Sequence, residues 1–185
     1  MKLIAGVDEV GRGALAGPVG AAAVILPAKL AGLADSKTIS PAKRVKLSAM
    51  IQQQALAWSV AYASVEEIDR LNILNASLLA MKRAVLGLAV KPTLVQIDGM
   101  MVPDLNYQME AIVGGDKTVA VISAASILAK VARDQKMREY DLIYPEYGFS
   151  RHKGYGTPEH LLALKQFGAT SIHRSSFSPV KKVVS

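Results

Sequence analysis

The 185-residue chain contains no cysteine. That excludes a disulfide scaffold, thiolate metal sites and a cysteine nucleophile, and it suits a reducing compartment. No stretch approaches the ~20 consecutive apolar residues of a membrane span. The opening MKLIAG reaches acidic residues within ten positions, too early for the apolar stretch of a secretory signal. Internal repeats, low-complexity tracts and an obvious linker are also missing. These absences predict a soluble, cytoplasmic protein with no membrane partner.

What remains is apolar and basic. Hydrophobic residues make up 51%, enough for a sizeable core and too many for disorder. The net charge of +7 is unevenly placed. Residues 151–185 carry six basic residues (Arg151, Lys153, Lys165, Arg174, Lys181, Lys182) against the single acid Glu159, while residues 1–150 carry sixteen against fourteen. A positive field concentrated at one end points to a polyanionic partner.

Hydrophobic patterning predicts five strands: KLIAGVD at 2–8, PVGAAAVIL at 18–26, LAWSVAYA at 56–63, TLVQID at 93–98 and YQMEAIV at 107–113. Ser40-Pro41 opens a helix running to about Gln54. Ser64 and Glu67 have capping-box spacing. Behind them Leu71, Leu74, Leu78, Met81, Val85 and Leu88 recur every three or four residues and predict one amphipathic helix. A long Ala- and Ser-rich helix is expected from about Val119 to Tyr140, and another between Pro158 and Gly168. The pattern is that of an α/β domain with a mixed sheet.

Four acids stand where apolar segments stop: Asp8 and Glu9, Asp98 before Gly99, and Asp116 after Gly114-Gly115. Two like charges ~4 Å apart repel by about 4 kcal/mol at an effective dielectric of 20. A divalent cation removes that penalty. A hard, all-oxygen donor set selects Mg²⁺ or Mn²⁺ over zinc, and such sites serve phosphoryl transfer. The plainer alternative is that these acids are helix caps and turn residues. Because neighbouring strand residues face opposite ways, the backbone is expected to turn at Glu9. His152, His160 and His173 lack metal-ligand spacing and are expected at the surface or against substrate.

The chain also resembles the bacterial ribonuclease HII family, the type 2 ribonucleases H. The resemblance rests on GVDEVGRG at 6–13, LADSKTIS at 33–40, IDGM at 97–100, GGDK at 114–117, SAASILAKVARD at 123–134, HKGYGT at 152–157 and HRSSFSPV at 173–180, in that order. It implies a ribonuclease H-like fold in which a five-stranded mixed sheet is flanked by helices, with a small C-terminal helical extension. The catalytic core would span 1–140. The extension, 141–185, would contribute to substrate binding.

The resemblance further implies an endoribonuclease that hydrolyses the RNA strand of RNA–DNA hybrids and cuts at ribonucleotides embedded in duplex DNA. Two metal ions, Mn²⁺ or Mg²⁺, would give 3′-hydroxyl and 5′-phosphate ends. Carried over by motif, Asp8, Glu9, Asp98 and Asp116 are the catalytic metal ligands. Gly11, Arg12 and Gly13 would read the ribose 2′-hydroxyl with backbone groups, glycine keeping side chains out of the way. Tyr155 would sense the RNA–DNA junction. Ser36 and Lys37 would lie near substrate phosphates. Lys117 would neutralise a phosphate or pair with an acid, and Asp134 would form an ion pair on the long helix. The tail VKKVVS is either unstructured or a docking peptide for a sliding clamp. Competing readings are a nucleic-acid-binding module with an inert acidic pocket, a nuclease of all-DNA substrates, and a structural protein with a basic tail.

Overall fold

The structure, a computed structural model, describes residues 2–27 and 39–184. Ser36 and Lys37 lie outside the described residues. Five strands form one sheet: β1 (Ile4–Val10), β2 (Val19–Ile25), β3 (Ala57–Ala63), β4 (Leu94–Asp98) and β5 (Met109–Ile112), in the order β3-β2-β1-β4-β5. β2 runs antiparallel to both β1 and β3, whereas β4 is parallel to β1 and to β5. The sheet is therefore mixed, as the patterning predicts.

Helices cover both faces. The helices before β4 are α1 (Pro41–Gln54), α2 (Val65–Leu71) and α3 (Ile73–Leu86). Those after β5 are α4 (Gly115–Thr118), α5 (Ala120–Ile143), α6 (Phe149–His152), α7 (Pro158–Phe167) and α8 (Ser178–Val184). Side chains alternate across the pleat. Ala5, Val7, Ala21, Ala23, Val95 and Ile97 meet α3 on one face, while Ala22 and Val24 meet α5 and Ile51 of α1 on the other. Among the described residues no helix is long and apolar enough to cross a membrane.

Small residues let α5 sit close on the sheet. A Cβ at Gly6 would stand 2.1 Å from the Val121 carbonyl carbon, so only glycine admits this crossing. The predicted single helix after Ser64 is two helices. Its capping box forms, but Asn72 breaks the run at φ 68° and caps α3, its side chain accepting from the Asn75 N–H. The leucine stripe is accordingly off centre. Leu74 is exposed, and α3 buries Ala76, Ala80 and Ala84 beside Met81 and Val85. Through Val184 the tail is helical in α8, not unstructured, with Val180 fully buried against Leu15 and Leu164.

Candidate active site

Val7 pairs with Ile97 in the parallel β1–β4 register. Asp8 and Asp98 therefore leave the same edge of the sheet side by side, on the α5 face. Contrary to the turn expected at Glu9, β1 continues straight past it. It stays paired through Val10, with Glu9 opposite Ala21. Glu9 consequently points to the α3 face and reaches the cleft from around the sheet edge, where it also borders Leu74, Leu78 and Met81. The chain makes its turn only at Gly11, which has φ +87°.

A cleft of about 460 Å³ opens here, lined by Asp8, Glu9, Asp98, Asp116, the Gly11–Gly13 turn and Tyr155. Gly114 takes a left-handed conformation and starts α4, and the Asp116 N–H then donates to Asp98 Oδ1 at 3.2 Å. The Glu9 N–H donates to Asp8 Oδ1 at 2.8 Å. Asp8 and Asp116 are buried. Burial pushes the Asp8 carboxyl up to about 8; the Glu9 and Asp98 charges add to this, against a hydrogen bond from Ser126. Glu9 Oε1 meets Arg12 Nη1 at 3.2 Å, while Oε2 is buried without a hydrogen-bond partner.

Among the described residues, no three acid or histidine side chains are drawn into a ready-made metal cage. The four acids share a cleft but are not clenched together. One oxygen each of Asp8 and Asp98 already accepts a backbone N–H, and like charges without a counter-ion stay apart. The donors still fit a divalent cation. All are carboxylate oxygens, one is buried and unsatisfied, and Asp8 is held in an environment that penalises its charge until a cation arrives.

Arg44, Ser126, Ile127 and Lys130 also line the cleft. Sequence reasoning did not single out Arg44 or Ser126. The signal for Ser126 is its place one helical turn before Lys130, on the same face of α5. Lys130 bridges Asp134 at 2.7 Å, the ion pair expected for Asp134. Lys117 is exposed on α4 and does not border the cleft.

The histidines depart from expectation: His152, His160 and His173 are all buried. His160 Nδ1 meets the Tyr155 carbonyl at 2.9 Å, so that nitrogen carries the proton. His173 Nδ1 accepts the Thr170 N–H at 2.9 Å, so its Nε2–H donates to His160 Nε2 at 3.1 Å. His152 stacks on His160 and its Nδ1 accepts the Gly154 N–H. These rings brace the loop that carries Tyr155 rather than touching the cleft.

The glycines of the turn also differ in their reason. A Cβ at Gly11 would fall 2.1 Å from Arg133 Nε, inside the protein. At Gly13 it would meet only Tyr155 Cε1, at 3.9 Å. Only Gly13 keeps the cleft side clear; Gly11 makes room for a buried arginine.

A mixed five-stranded sheet with acids at the ends of adjacent parallel strands, and a long helix laid across them, is an α/β fold of the ribonuclease H-like class. The ribonuclease HII family model matches residues 5–180. Ribonuclease HII of Chromobacterium violaceum is 61% identical over 181 residues, covering 96% of this chain and 91% of that protein. The ribonuclease H2 structure from Pyrococcus horikoshii superposes with a TM-score of 0.82 at 26% identity, covering 98% of this chain and 96% of that one. Bst-RNase HIII, solved in complex with Mn²⁺, shares the fold with a TM-score of 0.73 at 17% identity, covering 99% of this chain and 69% of that one. The chain belongs to the ribonuclease HII family, and it is a ribonuclease H.

Proposed function

We propose that this ribonuclease H cleaves the RNA strand of RNA–DNA hybrids and also cuts duplex DNA at single embedded ribonucleotides, leaving 3′-hydroxyl and 5′-phosphate ends. The observation that carries the reading is the shared cleft, where the four strand-end acids face the Gly11–Gly13 turn and Tyr155 across about 460 Å³. Asp8, Glu9, Asp98 and Asp116 would hold two divalent cations, Mn²⁺ or Mg²⁺. Such ions supply a lowered water pKa and neutralise charge developing at the phosphate.

The protein's own groups do the rest. The backbone hydrogen bonds to Asp8 and Asp98 fix one oxygen of each carboxylate, and Ser126 adds a further bond to Asp8. Arg44 and Lys130 attract the phosphate backbone. Backbone groups of residues 11–13 contact the ribose 2′-hydroxyl, the group that separates RNA from DNA at one position. Tyr155 is 36% exposed, so its ring is free to pack on the next sugar.

The decisive experiment is cleavage of a duplex carrying one ribonucleotide, with and without Mn²⁺, beside an all-DNA duplex. Cutting of the first alone, only with metal, is expected; equal cutting of both removes the ribose-selective reading. Asp98→Asn should retain substrate binding while cleavage falls by about a hundredfold or more, as loss of a transition-state electrostatic group does.

A further inference from the structure

Arg133 and Arg174 have no solvent exposure at all. Their guanidinium groups donate to six backbone carbonyls. Arg133 takes Pro18 at 2.9 Å, Ala16 at 3.1 Å and Lys153 at 2.9 Å. Arg174 takes Gly17 through Nε at 3.0 Å, Arg12 through Nη1 at 2.8 Å and Gly11 through Nη2 at 2.7 Å. A rigid planar fork suits two adjacent carbonyls; a lysine ammonium does not have that geometry. The ring of Phe177 packs 5.1 Å from the Arg174 guanidinium.

The two carbonyls that Arg174 holds belong to the turn facing the cleft. In a trans peptide the C=O and the following N–H lie in one plane and point opposite ways. The Gly11 carbonyl is pulled inward to Arg174, so the Arg12 N–H is turned outward. The Arg12 carbonyl is pulled inward as well, so the Gly13 N–H follows. Two neighbouring donors are thereby presented on the outer side of a turn that lines the cleft. Arg133 packs beneath the same turn, filling the place where a Gly11 side chain would sit, and joins the Ala16–Pro18 segment to the Tyr155 loop through the Lys153 carbonyl.

We propose that Arg174 is a positioning residue for ribose recognition: by holding the Gly11 and Arg12 carbonyls inward, it aims the Arg12 and Gly13 N–H groups at the substrate's 2′-oxygen. This rests on the reading that residues 11–13 contact the 2′-hydroxyl. Arg174 never meets nucleic acid itself. It acts through the orientation of two peptide planes, which is the part of the site that distinguishes ribose from deoxyribose.

The test is Arg174→Lys, which keeps the charge and loses the fork. Affinity is measured without divalent ions on a one-ribonucleotide duplex and on an all-DNA duplex of the same sequence, and kcat/KM is measured on the first. The variant should stay folded by circular dichroism. Its preference for the ribonucleotide duplex and its kcat/KM should fall about tenfold or more, the loss expected for misaligning a charge-assisted hydrogen-bond pair. Its affinity for all-DNA duplex should be unchanged. Equal loss on both duplexes, or no loss on either, overturns the proposal. If the variant does not fold, the unaltered protein decides. The Arg12 and Gly13 amide ¹⁵N–¹H signals should shift with the ribonucleotide duplex and not with DNA, and stationary signals overturn it. If the unaltered protein treats both duplexes alike, the underlying ribose reading has failed before any variant is made.

Discussion

Asp8 is held in surroundings that oppose its charge. Its folded value of about 8 lies above the ordinary 3.8, so the folded chain keeps this proton when the unfolded chain has lost it. Without divalent ions, the Asp8 contribution is full below about pH 4 and is lost as pH rises towards 8. Asp8→Asn removes that slope. Thermal melts should show the variant more stable than the parent at pH 8, with the gap closing towards pH 4, while cleavage is abolished. The strand-end acids were legible because a charge closing an apolar run is conspicuous. Ser126 and Arg44 were not, since helices deliver them and nothing local distinguishes them from any surface serine or arginine. Gly11 and Gly13 looked alike on paper. Only the packing separates the one that accommodates Arg133 from the one that clears the cleft.

At the scale of elements, α5 and the Tyr155 loop set the site's shape. Gly6→Ala would drive a methyl group into the Val121 backbone. It should cost about 3 kcal/mol, a large overpacking penalty, and kcat should fall because Ser126 and Lys130 move away from Asp8; denaturant melts and steady-state rates check both. The histidine brace has its own pH signature. Burial, with His160 alongside, brings His173 down to about 4 from 6.5. Its contribution is full above pH 6.5 and is lost as pH falls towards 4. In an Asp8→Asn background, which removes the opposing slope, the melting temperature should drop across that window, and His173→Gln should flatten the drop. Five strands and the long helix were readable from period and caps. The break at Asn72 was not: the leucine spacing runs on through it, and a residue at φ 68° leaves no mark in hydrophobic pattern. The burial of the three histidines is hidden from the sequence for a related reason. A polar ring is a surface residue by default, and its burial here depends on partners far along the chain.

For the whole molecule, charge governs encounter. With a net charge of +7 and with Arg12, Arg44 and Lys130 beside the acids of the cleft, the proposed binding to a duplex should be salt-dependent. Each phosphate contact steepens the log–log slope by about 0.9, so Arg44→Ala and Lys130→Ala should each flatten it by about that amount, as read by titration at several salt concentrations. Trimming the basic C-terminal stretch is a poor route to the same answer. The Ile172 carbonyl accepts from the Gly17 N–H and the Arg174 N–H donates to the Leu15 carbonyl, with His173 opposite Ala16 between them, so their removal takes fold and charge together. The Arg174 bond to the Arg12 carbonyl joins residues 162 positions apart. Translation runs from the turn towards its anchor, so a growing polypeptide carries the turn and the acids at positions 8, 9, 98 and 116 before it gains the arginine that holds the turn's carbonyls. A nascent chain that has passed position 116 but not position 174 therefore holds all four acids without the side chain proposed to orient residues 11–13.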